Sequence, residues 1–280
     1  MLSRGDGVFF GATNDLTQPF DYWQDTDRDT TGTHSGVRFA GRGLQTRLSG
    51  LSRPHRPEAE RERVLQGLVD DLPARKVFID AGAGNGDVTR AFAGAFDRTI
   101  AIEPNAYLLT QLQRAIPQAD AIGTAILAAS PETQGDFVLC SHTLYYIPAE
   151  EWLAHLERLV SWMSPTGVTV VVLQNRGTAC MTMLEHFFGH RFDLGGLADA
   201  FRATHGDRYD VTTTLDQAHV ETTERAAAYT VAEFMLNLLP ISRPPARRDL
   251  EAYVSKYFAT SDGTYRLSVH QDFLHIRARR

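Results

Sequence analysis

The sequence predicts an α/β protein built on a doubly wound, mostly parallel β-sheet. From residue 76 to residue 174, short apolar runs alternate with segments of helical periodicity, which is typical of a parallel sheet covered by helices. The runs DFVLCSH and GVTVVVLQ are apolar almost throughout, as expected of strands that are buried on both faces. Near the end of the chain, YRLSVHQDFLHIRA alternates between apolar and polar residues, which predicts an antiparallel strand pair at the C-terminal side of the sheet.

The elements of the parallel part follow one another in a regular order. A helix that carries Val64, Leu65, Leu68 and Val69 on one face is predicted before the first strand. Strands are then predicted at KVFIDA, RTIAIEP, QADAIGTA, DFVLCSH and GVTVVVLQ, with helices between them at residues 87–96, NAYLLTQLQRAIP and PAEEWLAHLERLVSWMSP.

After Gln174 the pattern is less regular. Helices are predicted at GTACMTMLEHFF, LGGLADAFRATHG, TVAEFMLNLLP and RRDLEAYVSKYFA, and strands at RYDVTTTL and AHVETTER. The apolar helix from Val231 to Leu239 is predicted as a substrate cover, a subunit contact or part of the core. We expect substrate-covering elements within residues 177–260.

The N-terminal segment differs from the rest of the chain. Residues 1–57 are rich in Gly, Asp, Thr and Arg and end in RPHRP, which stops regular structure. Three predictions stay open for this segment: a lid over the site, an arm in a homo-oligomer, or a poorly ordered leader. The main domain is predicted over residues 58–280.

Composition limits the classes of function. The formal net charge of −6 argues against a nucleic-acid binder, which usually shows a basic stripe. No apolar stretch approaches the roughly 18 residues of a membrane span, and the first residues do not form a secretory signal. Cys140 and Cys180 are the two cysteines, and neither has metal-ligand spacing to a partner. We therefore expect a cytoplasmic protein without metal, nucleic acid or membrane partners.

The stretch VFIDAGAGNGD places a glycine-rich turn between the first strand and its helix. In a doubly wound sheet, ligands bind beyond the carboxyl ends of the strands, near this turn. A dinucleotide fingerprint needs a third glycine at position 87, but the residue there is Asp87, and an acid is a poor neighbour for a pyrophosphate. No Gly-Lys-Ser/Thr follows, which excludes a P-loop.

Three features favour a ligand that has an adenosine part but no phosphate. Glu103 ends the second strand about 20 residues past the turn, where an acid typically accepts hydrogen bonds from ribose hydroxyls. Free N–H groups at the start of the helix near Asp87 favour a carboxylate. Asp80 is positioned to meet an ammonium group, directly or through water. Ribose, carboxylate and cation together describe S-adenosylmethionine (SAM).

Three stretches carry a resemblance to a known family. VFIDAGAGNGDVT, AIEPN and DFVLCSHTLYYI resemble the first, second and fourth motifs of class I SAM-dependent methyltransferases, with matching spacing. The resemblance covers about residues 60–175 and implies a Rossmann-like sheet of seven strands with an antiparallel C-terminal strand pair. It also implies transfer of the methyl group of SAM to a small-molecule acceptor at N, O or C, in specialised metabolism.

The same resemblance implies a set of SAM-binding residues along the rim of the sheet. The glycine turn would line the methionine part, Glu103 would hold the ribose, and the residues after the third strand would lie near the adenine. Many family members carry an acid beside the adenine amino group, but none follows Gly123 here, and Asp120 is a weak substitute. The complete set is Asp80, Gly82, Ala83, Gly84, Glu103, Pro104, Thr124, Ala125 and Ser141.

The methyl acceptor is predicted to contact the segment SHTLYYIPAEEW. His142, Tyr145 and Tyr146 directly follow the fourth strand and are predicted as catalytic residues. A neutral histidine accepts a proton from a hydroxyl, an amine or an activated carbon, and tyrosine rings pack on an acceptor or attract a sulfonium. The alternative is that His142 bonds only to backbone and that the tyrosines are core. The Asn/Asp-Pro-Pro-Tyr motif of enzymes acting on nucleic acids or glutamine amides is absent.

A second resemblance is more remote. DFVLCSHTLYYIPAEEW, DLGGLADAF, VAEFMLNLLP and YRLSVHQDFLHIRA are similar in order and spacing to segments of histamine N-methyltransferase and its bacterial relatives. In that group the fourth-strand position, the two tyrosines and the last strand pair contact a small amine. By this likeness His270 is predicted to contact the substrate. Tyr22 is predicted to do so from the N-terminal segment. Because His142 replaces a side-chain amide, the substrate need not be an amine.

Two other functions stay open at this point. A protein of the same fold could bind SAM without transferring its methyl group, for example as an aid to a cyclisation. Such a protein would form no stoichiometric S-adenosylhomocysteine (SAH). A nicotinamide-dependent oxidoreductase is disfavoured by Asp87.

Overall fold

The computed structural model describes residues 57–237, 239, 241 and 243–279. Nearly all of the predicted N-terminal segment, including Tyr22, lies outside the described residues, so its role as a lid or arm stays a prediction. The strands are β1 (Val77–Ala81), β2 (Arg98–Ile102), β3 (Asp120–Ile122), β4 (Gly135–Ser141), β5 (Met163–Gln174), β6 (Tyr209–Asp216), β7 (His219–Thr222), β8 (Tyr265–Ser268) and β9 (Gln271–Ala278).

Helices connect these strands in the alternating order that the sequence predicts. Two short 3₁₀ turns, Leu144–Tyr146 and Ala149–Glu151, lie between β4 and the next α-helix. The α-helices are α1 (Pro57–Asp70), α2 (Asp87–Ala93), α3 (Ala106–Ala115), α4 (Trp152–Ser161), α5 (Ala179–Phe188), α6 (Leu194–His205), α7 (Arg225–Asn237) and α8 (Arg247–Tyr257).

Seven strands form the main sheet in the order β3-β2-β1-β4-β5-β9-β6, and β7 and β8 form a separate two-stranded sheet. β1 pairs in parallel with both β2 and β4. The chain runs outward from β1 to β3 and then returns to β4, so the strand order reverses between β1 and β4. Such a reversal leaves a crevice at the carboxyl ends of the two strands. The ends of β1 and β4 carry Asp80 and Ser141, which therefore lie at this crevice.

The two faces of the sheet are covered by separate apolar layers. Phe78 packs with Leu65 and Val69 of α1, and its ring lies 5.4 Å from that of Phe137. Its neighbour Ile79 packs in the layer on the opposite face, as the two-residue period of a strand requires. Leu65 and Val69 are fully buried, which confirms the predicted apolar face of α1.

The C-terminal strands confirm the antiparallel pair and divide the last stretch between two sheets. The stretch YRLSVHQDFLHIRA forms β8 and β9, which lie in two different sheets: β8 pairs antiparallel with β7, and β9 pairs antiparallel with both β5 and β6. Between them, the N–H of Val269 donates to the carbonyl of Ala218 and the carbonyl of His270 accepts from Asn175. These bonds lead the chain from the small sheet to the main one.

The helix predicted at PAEEWLAHLERLVSWMSP ends at Ser161, and β5 already begins at Met163. The helix after the glycine turn also ends earlier than predicted. The helix predicted over residues 87–96 ends at Ala93. Gly94 follows, and the N–H groups of Ala95 and Phe96 donate to carbonyls only three residues back. Glycine has a low helix propensity and commonly ends helices. Within the described part of the chain, no helix is long and apolar enough to cross a bilayer.

Candidate active site

The glycine turn after β1 is bent over the end of β2. Gly82 and Gly84 have φ values of 76° and 58°, which L-residues with side chains rarely adopt. The N–H groups of Gly82 and Ala83 both donate to the carbonyl of Ile102, at 2.8 and 3.0 Å. A Cβ atom at Gly82 would lie 2.3 Å from the side chain of Thr143, whereas one at Gly84 would meet nothing within 4 Å. Gly84 therefore leaves open space where a ligand can approach the backbone.

Glu103 lies at the end of β2, directly beside this turn. Its two carboxylate oxygens accept hydrogen bonds from the N–H of Gly84 at 2.9 Å and from that of Asn105 at 2.8 Å. Burial raises the pKa of Glu103, and the two N–H donors act against that rise. A carboxylate has about four lone-pair positions, so Glu103 retains acceptor capacity for the hydroxyl groups of a ribose.

A cavity of about 210 Å³ opens between the ends of β1 and β4. We call it the first cavity. The hydroxyl oxygen of Ser141, on its wall, is shielded from solvent and has no hydrogen-bond partner within the described residues. A buried hydroxyl without a partner is costly, which fits a site whose ligand supplies the partner. The first cavity is lined by Arg61, Asp80, Gly82, Ala83, Gly84, Asn85, Asp87, Val88, Ser141 and His142.

Asp80 is the buried acid of the first cavity. Its carboxylate accepts a hydrogen bond from the hydroxyl of Thr89 at 2.6 Å. Burial raises the pKa of Asp80 to about 6, while Thr89 and the charge of Arg61 act in the opposite direction and the charge of Glu103 adds to the rise. A cationic group bound in the first cavity would stabilise the ionised form of Asp80.

Arg61 lies at the site although it was not among the residues predicted from the sequence. It lies on α1, lines the first cavity, and its charge lowers the pKa values of both Asp80 and His142. The sequence held one usable signal. Arg61 stands four and eight residues before Leu65 and Val69, so it shares the core-facing side of the helix. A cation on that side at the carboxyl edge of the sheet is suited to a ligand carboxylate.

Thr143 was also missed, and it joins the two halves of the crevice. Its hydroxyl is 3.3 Å from the carbonyls of Ala81, Gly82 and Ser141. The loop after β4 is thereby held against the turn after β1.

His142 has an unusual backbone conformation where β4 ends. Its N–H donates to the carbonyl of Val172 at 2.9 Å, which is the last ladder bond of the strand. The φ value of His142 is 57°. This left-handed conformation costs a non-glycine residue about 1–3 kcal/mol. This bend places the imidazole on the wall of the first cavity. Tyr145 is buried and stacks beside it, with 5.8 Å between the ring centroids.

The hydrogen bonds of Tyr145 determine the tautomer of His142. The backbone N–H of Gln174 donates to the phenol oxygen at 2.7 Å. The phenol has one proton, and its acceptor within the described residues is Nδ1 of His142 at 3.2 Å. Burial raises the pKa of Tyr145, so the phenol keeps this proton. Nδ1 of His142 is therefore unprotonated, and the neutral ring carries its proton on Nε2.

The catalytic role of His142 stays a prediction, and this arrangement favours hydrogen-bond donation over proton uptake. Burial and the charge of Arg61 lower the pKa of His142 to about 3, far below the value near neutrality that suits a general base. At neutral pH, His142 is an uncharged hydrogen-bond donor through Nε2.

The remaining predicted residues do not line the first cavity, and they differ in burial and in position along the sheet. Pro104 is half-buried beside Glu103, and Thr124 and Ala125 follow β3 at or near the surface. Tyr146 is 49 % exposed, unlike Tyr145. His270 lies next to Asn175, beyond β5, and does not line the first cavity. Asp120 binds Arg98 at 2.5 Å on the first residue of β3, away from the carboxyl edge where adenine is expected.

Together, this sheet order and this cavity define a Rossmann-like α/β protein of the class that binds SAM at the carboxyl ends of β1 and β2. Residues 53–218 match the family described as "Methyltransferase domain". The match spans more than half of the chain, so the protein belongs to this methyltransferase family and is a SAM-dependent methyltransferase. No curated protein matches the sequence significantly.

Solved structures share the fold at low sequence identity. The BH2331 protein of Bacillus halodurans C-125 gives a TM-score of 0.56 at 13% identity, over 77% of this chain and 96% of that one. The N-methyltransferase NodS from Bradyrhizobium japonicum WM9, in complex with SAH, gives 0.51 at 14% identity, over 84% and 91%. The YcgJ protein of Bacillus subtilis gives 0.55 at 9% identity, over 80% and 99%. The remote likeness to histamine N-methyltransferase stays a prediction.

Proposed function

We propose that the protein methylates an amine nitrogen of a small molecule, with SAM held in the first cavity. Glu103 would accept hydrogen bonds from the ribose hydroxyls, Arg61 would bind the carboxylate and Asp80 the ammonium group. Ser141 would donate its unpartnered hydroxyl. When bound, SAM supplies a methyl group on a positively charged sulfur that departs as a neutral thioether.

The observation that carries the amine assignment is the His142–Tyr145 pair. The phenol of Tyr145 lies 3.2 Å from Nδ1 of His142 and occupies that nitrogen, and burial with the charge of Arg61 lowers the pKa of His142, so the pair offers no free base to an acceptor. A hydroxyl or carbon acceptor needs a base as it reacts. A neutral amine attacks through its own lone pair and releases its proton to solvent afterwards. The residues near the reacting atom would then orient the amine and exclude water.

The elements after Gln174 would close the acceptor side of this site. α5 begins directly after β5, and the β7–β8 sheet packs against α5 and α7. The predicted substrate-covering role of residues 177–260 would belong to these elements, and the proposed contact of the acceptor with Tyr146 would be at the exposed rim.

The test uses acceptor pairs of one carbon skeleton, each an amine and the corresponding alcohol, with SAM and the full-length protein. We expect SAH to accumulate in equal amount to the methylated amine. The rate should rise with pH as the amine loses its proton, with an inflection that follows the amine and not His142. Preferential methylation of the alcohol would overturn the amine assignment. Product formation without SAH would favour the cyclisation alternative instead.

A further inference from the structure

A second cavity, of about 390 Å³, lies further along the carboxyl edge of the sheet. Its walls come from the first turn of α5, the segment before β7, the β7–β8 sheet and the end of α8. Its polar wall residues include His219, Arg266, Ser268 and His270. No carboxylate is among the described residues that line it.

Arg266 supplies the positive charge of the second cavity. Glu221 holds one edge of its guanidinium, with 3.2 Å between Nε and the carboxylate. Nη2 lies 3.3 Å from the ring nitrogens of His219. Nη1 makes no hydrogen bond within the described residues, so N–H donors remain for a ligand. A guanidinium fixed in this way is suited to a carboxylate or a phosphate.

Two further donors belong to the same wall. Nδ1 of His270 accepts the N–H of Ala218 at 3.0 Å, so the neutral ring carries its proton on Nε2 and donates from there. The hydroxyl oxygen of Ser268 accepts the N–H of Ala179 at 3.0 Å, and its own proton has no acceptor in the described part of the chain. The first turn of α5, at Ala179, adds the positive end of a helix dipole.

The second cavity lies near the first cavity along the same edge of the sheet. The carbonyl of His270 accepts the N–H of Asn175, the residue that follows β5. β5 lies between β4, which ends at Ser141, and β9, which begins one residue after His270. Neighbouring strands are about 4.8 Å apart, so the end of β4 and the start of β9 are separated by about 10 Å across the sheet. Ser141 lines the first cavity and His270 the second, so the two cavities lie on the same edge of the sheet, two strand positions apart.

We propose that the second cavity binds the anionic end, a carboxylate or a phosphate, of the amine that is methylated. The geometry gives three kinds of donor around it, and Glu221, the acid that contacts Arg266 and His219, is not among the described residues that line it. The inference rests on the proposed function for the identity of the ligand, and it defines the acceptor class as amines that also carry an anionic group.

The first experiment measures anion binding without a known acceptor. The full-length protein, labelled on its histidines and saturated with SAH, is titrated with inorganic phosphate and followed by NMR. We expect saturable shifts of the His219 and His270 signals, with an affinity at least tenfold lower in Arg266→Gln and an intermediate loss in Arg266→Lys. Arg248→Gln is the matched control, since this arginine is 89% exposed and lines neither cavity. An equal affinity in Arg266→Gln, or no saturable shift, would overturn the proposal.

The second experiment connects the anion to the acceptor. Amines that carry a carboxylate or a phosphate are compared with their uncharged amide or alcohol counterparts by kcat/KM. Wild type and Arg248→Gln should prefer the anionic compound at least tenfold, and Arg266→Gln should lose this preference. The second-cavity proposal would be overturned if Arg266→Gln kept the preference for the anionic compound, or if wild type preferred the uncharged compound.

The two proposals fail in different ways. If SAH does not bind the wild-type protein, the proposed function fails. If SAH binds and an amine is methylated but phosphate and the anionic compounds have no advantage, only the second-cavity proposal fails. A thermal unfolding curve with and without SAH checks that Arg266→Gln is folded, and its SAH affinity is expected to stay within twofold of wild type.

Discussion

The two cavities lie on the same edge of one sheet, yet the chain builds them differently. Most of the first cavity comes from one continuous stretch, residues 80–88, with Arg61 added from α1 and Ser141 and His142 from the end of β4 and the residue after it. The second cavity is assembled from residues 177–182, 217–219, 257–258 and 266–270. A site in a short stretch depends on backbone conformation, whereas a site assembled from distant stretches depends on side chains and packing. Mutations should therefore act through different physical causes in the two regions.

The largest effect is expected from the backbone of the glycine turn. Gly82→Ala would place a Cβ 2.3 Å from Thr143 in a left-handed conformation, and we expect SAH affinity to fall more than 100-fold. Gly84→Ala has a similar φ, and its Cβ would meet no protein atom. The conformational cost of about 1–2 kcal/mol and the loss of ligand space act there, and we expect a smaller fall in SAH affinity, of about tenfold. Calorimetric titration with SAH measures both.

Comparing Gly82→Ala with Gly84→Ala separates the steric contact with Thr143 from the backbone strain. Adding Thr143→Gly to Gly82→Ala removes the side chain that the new Cβ would meet, and it should recover part of the lost SAH affinity. Equal losses in Gly82→Ala and Gly84→Ala would show that the contact with Thr143 has no role in this difference.

A smaller effect is expected at the ribose-binding carboxylate. Glu103→Ala removes an acceptor for two hydroxyls, and hydrogen bonds to a charged group contribute about 1.5–3 kcal/mol. SAH affinity should fall about 10- to 100-fold. Asp120→Asn is the control, because Asp120 binds Arg98 at the start of β3, and it should change the affinity less than threefold. Wild-type affinity in Glu103→Ala would contradict the assignment of the ribose site.

Tyr145→Phe tests the residue that orients His142. Without the phenol, Nδ1 of His142 loses its hydrogen-bond donor and the N–H of Gln174 loses its acceptor. We expect kcat to fall about tenfold while SAH affinity changes less than threefold, because Tyr145 does not line the first cavity. The histidine ¹⁵N shifts of the labelled protein should show protonated Nε2 in wild type and a tautomer mixture in the variant. An unchanged tautomer would contradict the orienting role.

The contrast between the cavities also explains what the sequence predicts. Glycines that alternate after an apolar strand, followed by an acid at the end of the next strand, are local patterns with a physical meaning, and the fold confirms where they lie. Arg61 reaches the first cavity from a helix that ends before β1, and its position follows from helix periodicity only once the core-facing side is known. The second cavity could not be predicted, since Ala179 and Ser268 meet through a hydrogen bond between residues 89 positions apart. The placement of β8 and β9 in two different sheets depends likewise on distant residues, because Val269 between them pairs with Ala218.

The smallest expected effect is a proton linkage at Asp80. Burial raises its pKa to about 6, above the ordinary value of 3.8, so the folded protein without ligand binds more protons than the unfolded chain between these values. Stability should therefore decrease as pH rises from about 4 to 6. An ammonium group beside Asp80 lowers its pKa, so SAH binding should release protons near pH 5–6 and SAH affinity should rise with pH over that range. His142 stays neutral there because its pKa is about 3.

Titration calorimetry in buffers of different ionisation enthalpy measures the released protons. Asp80→Asn should abolish the release, and Thr89→Val, which removes the hydroxyl donor, should move the inflection to higher pH. Proton release that persists in Asp80→Asn would assign the linkage to another group and remove Asp80 as the partner of the ammonium.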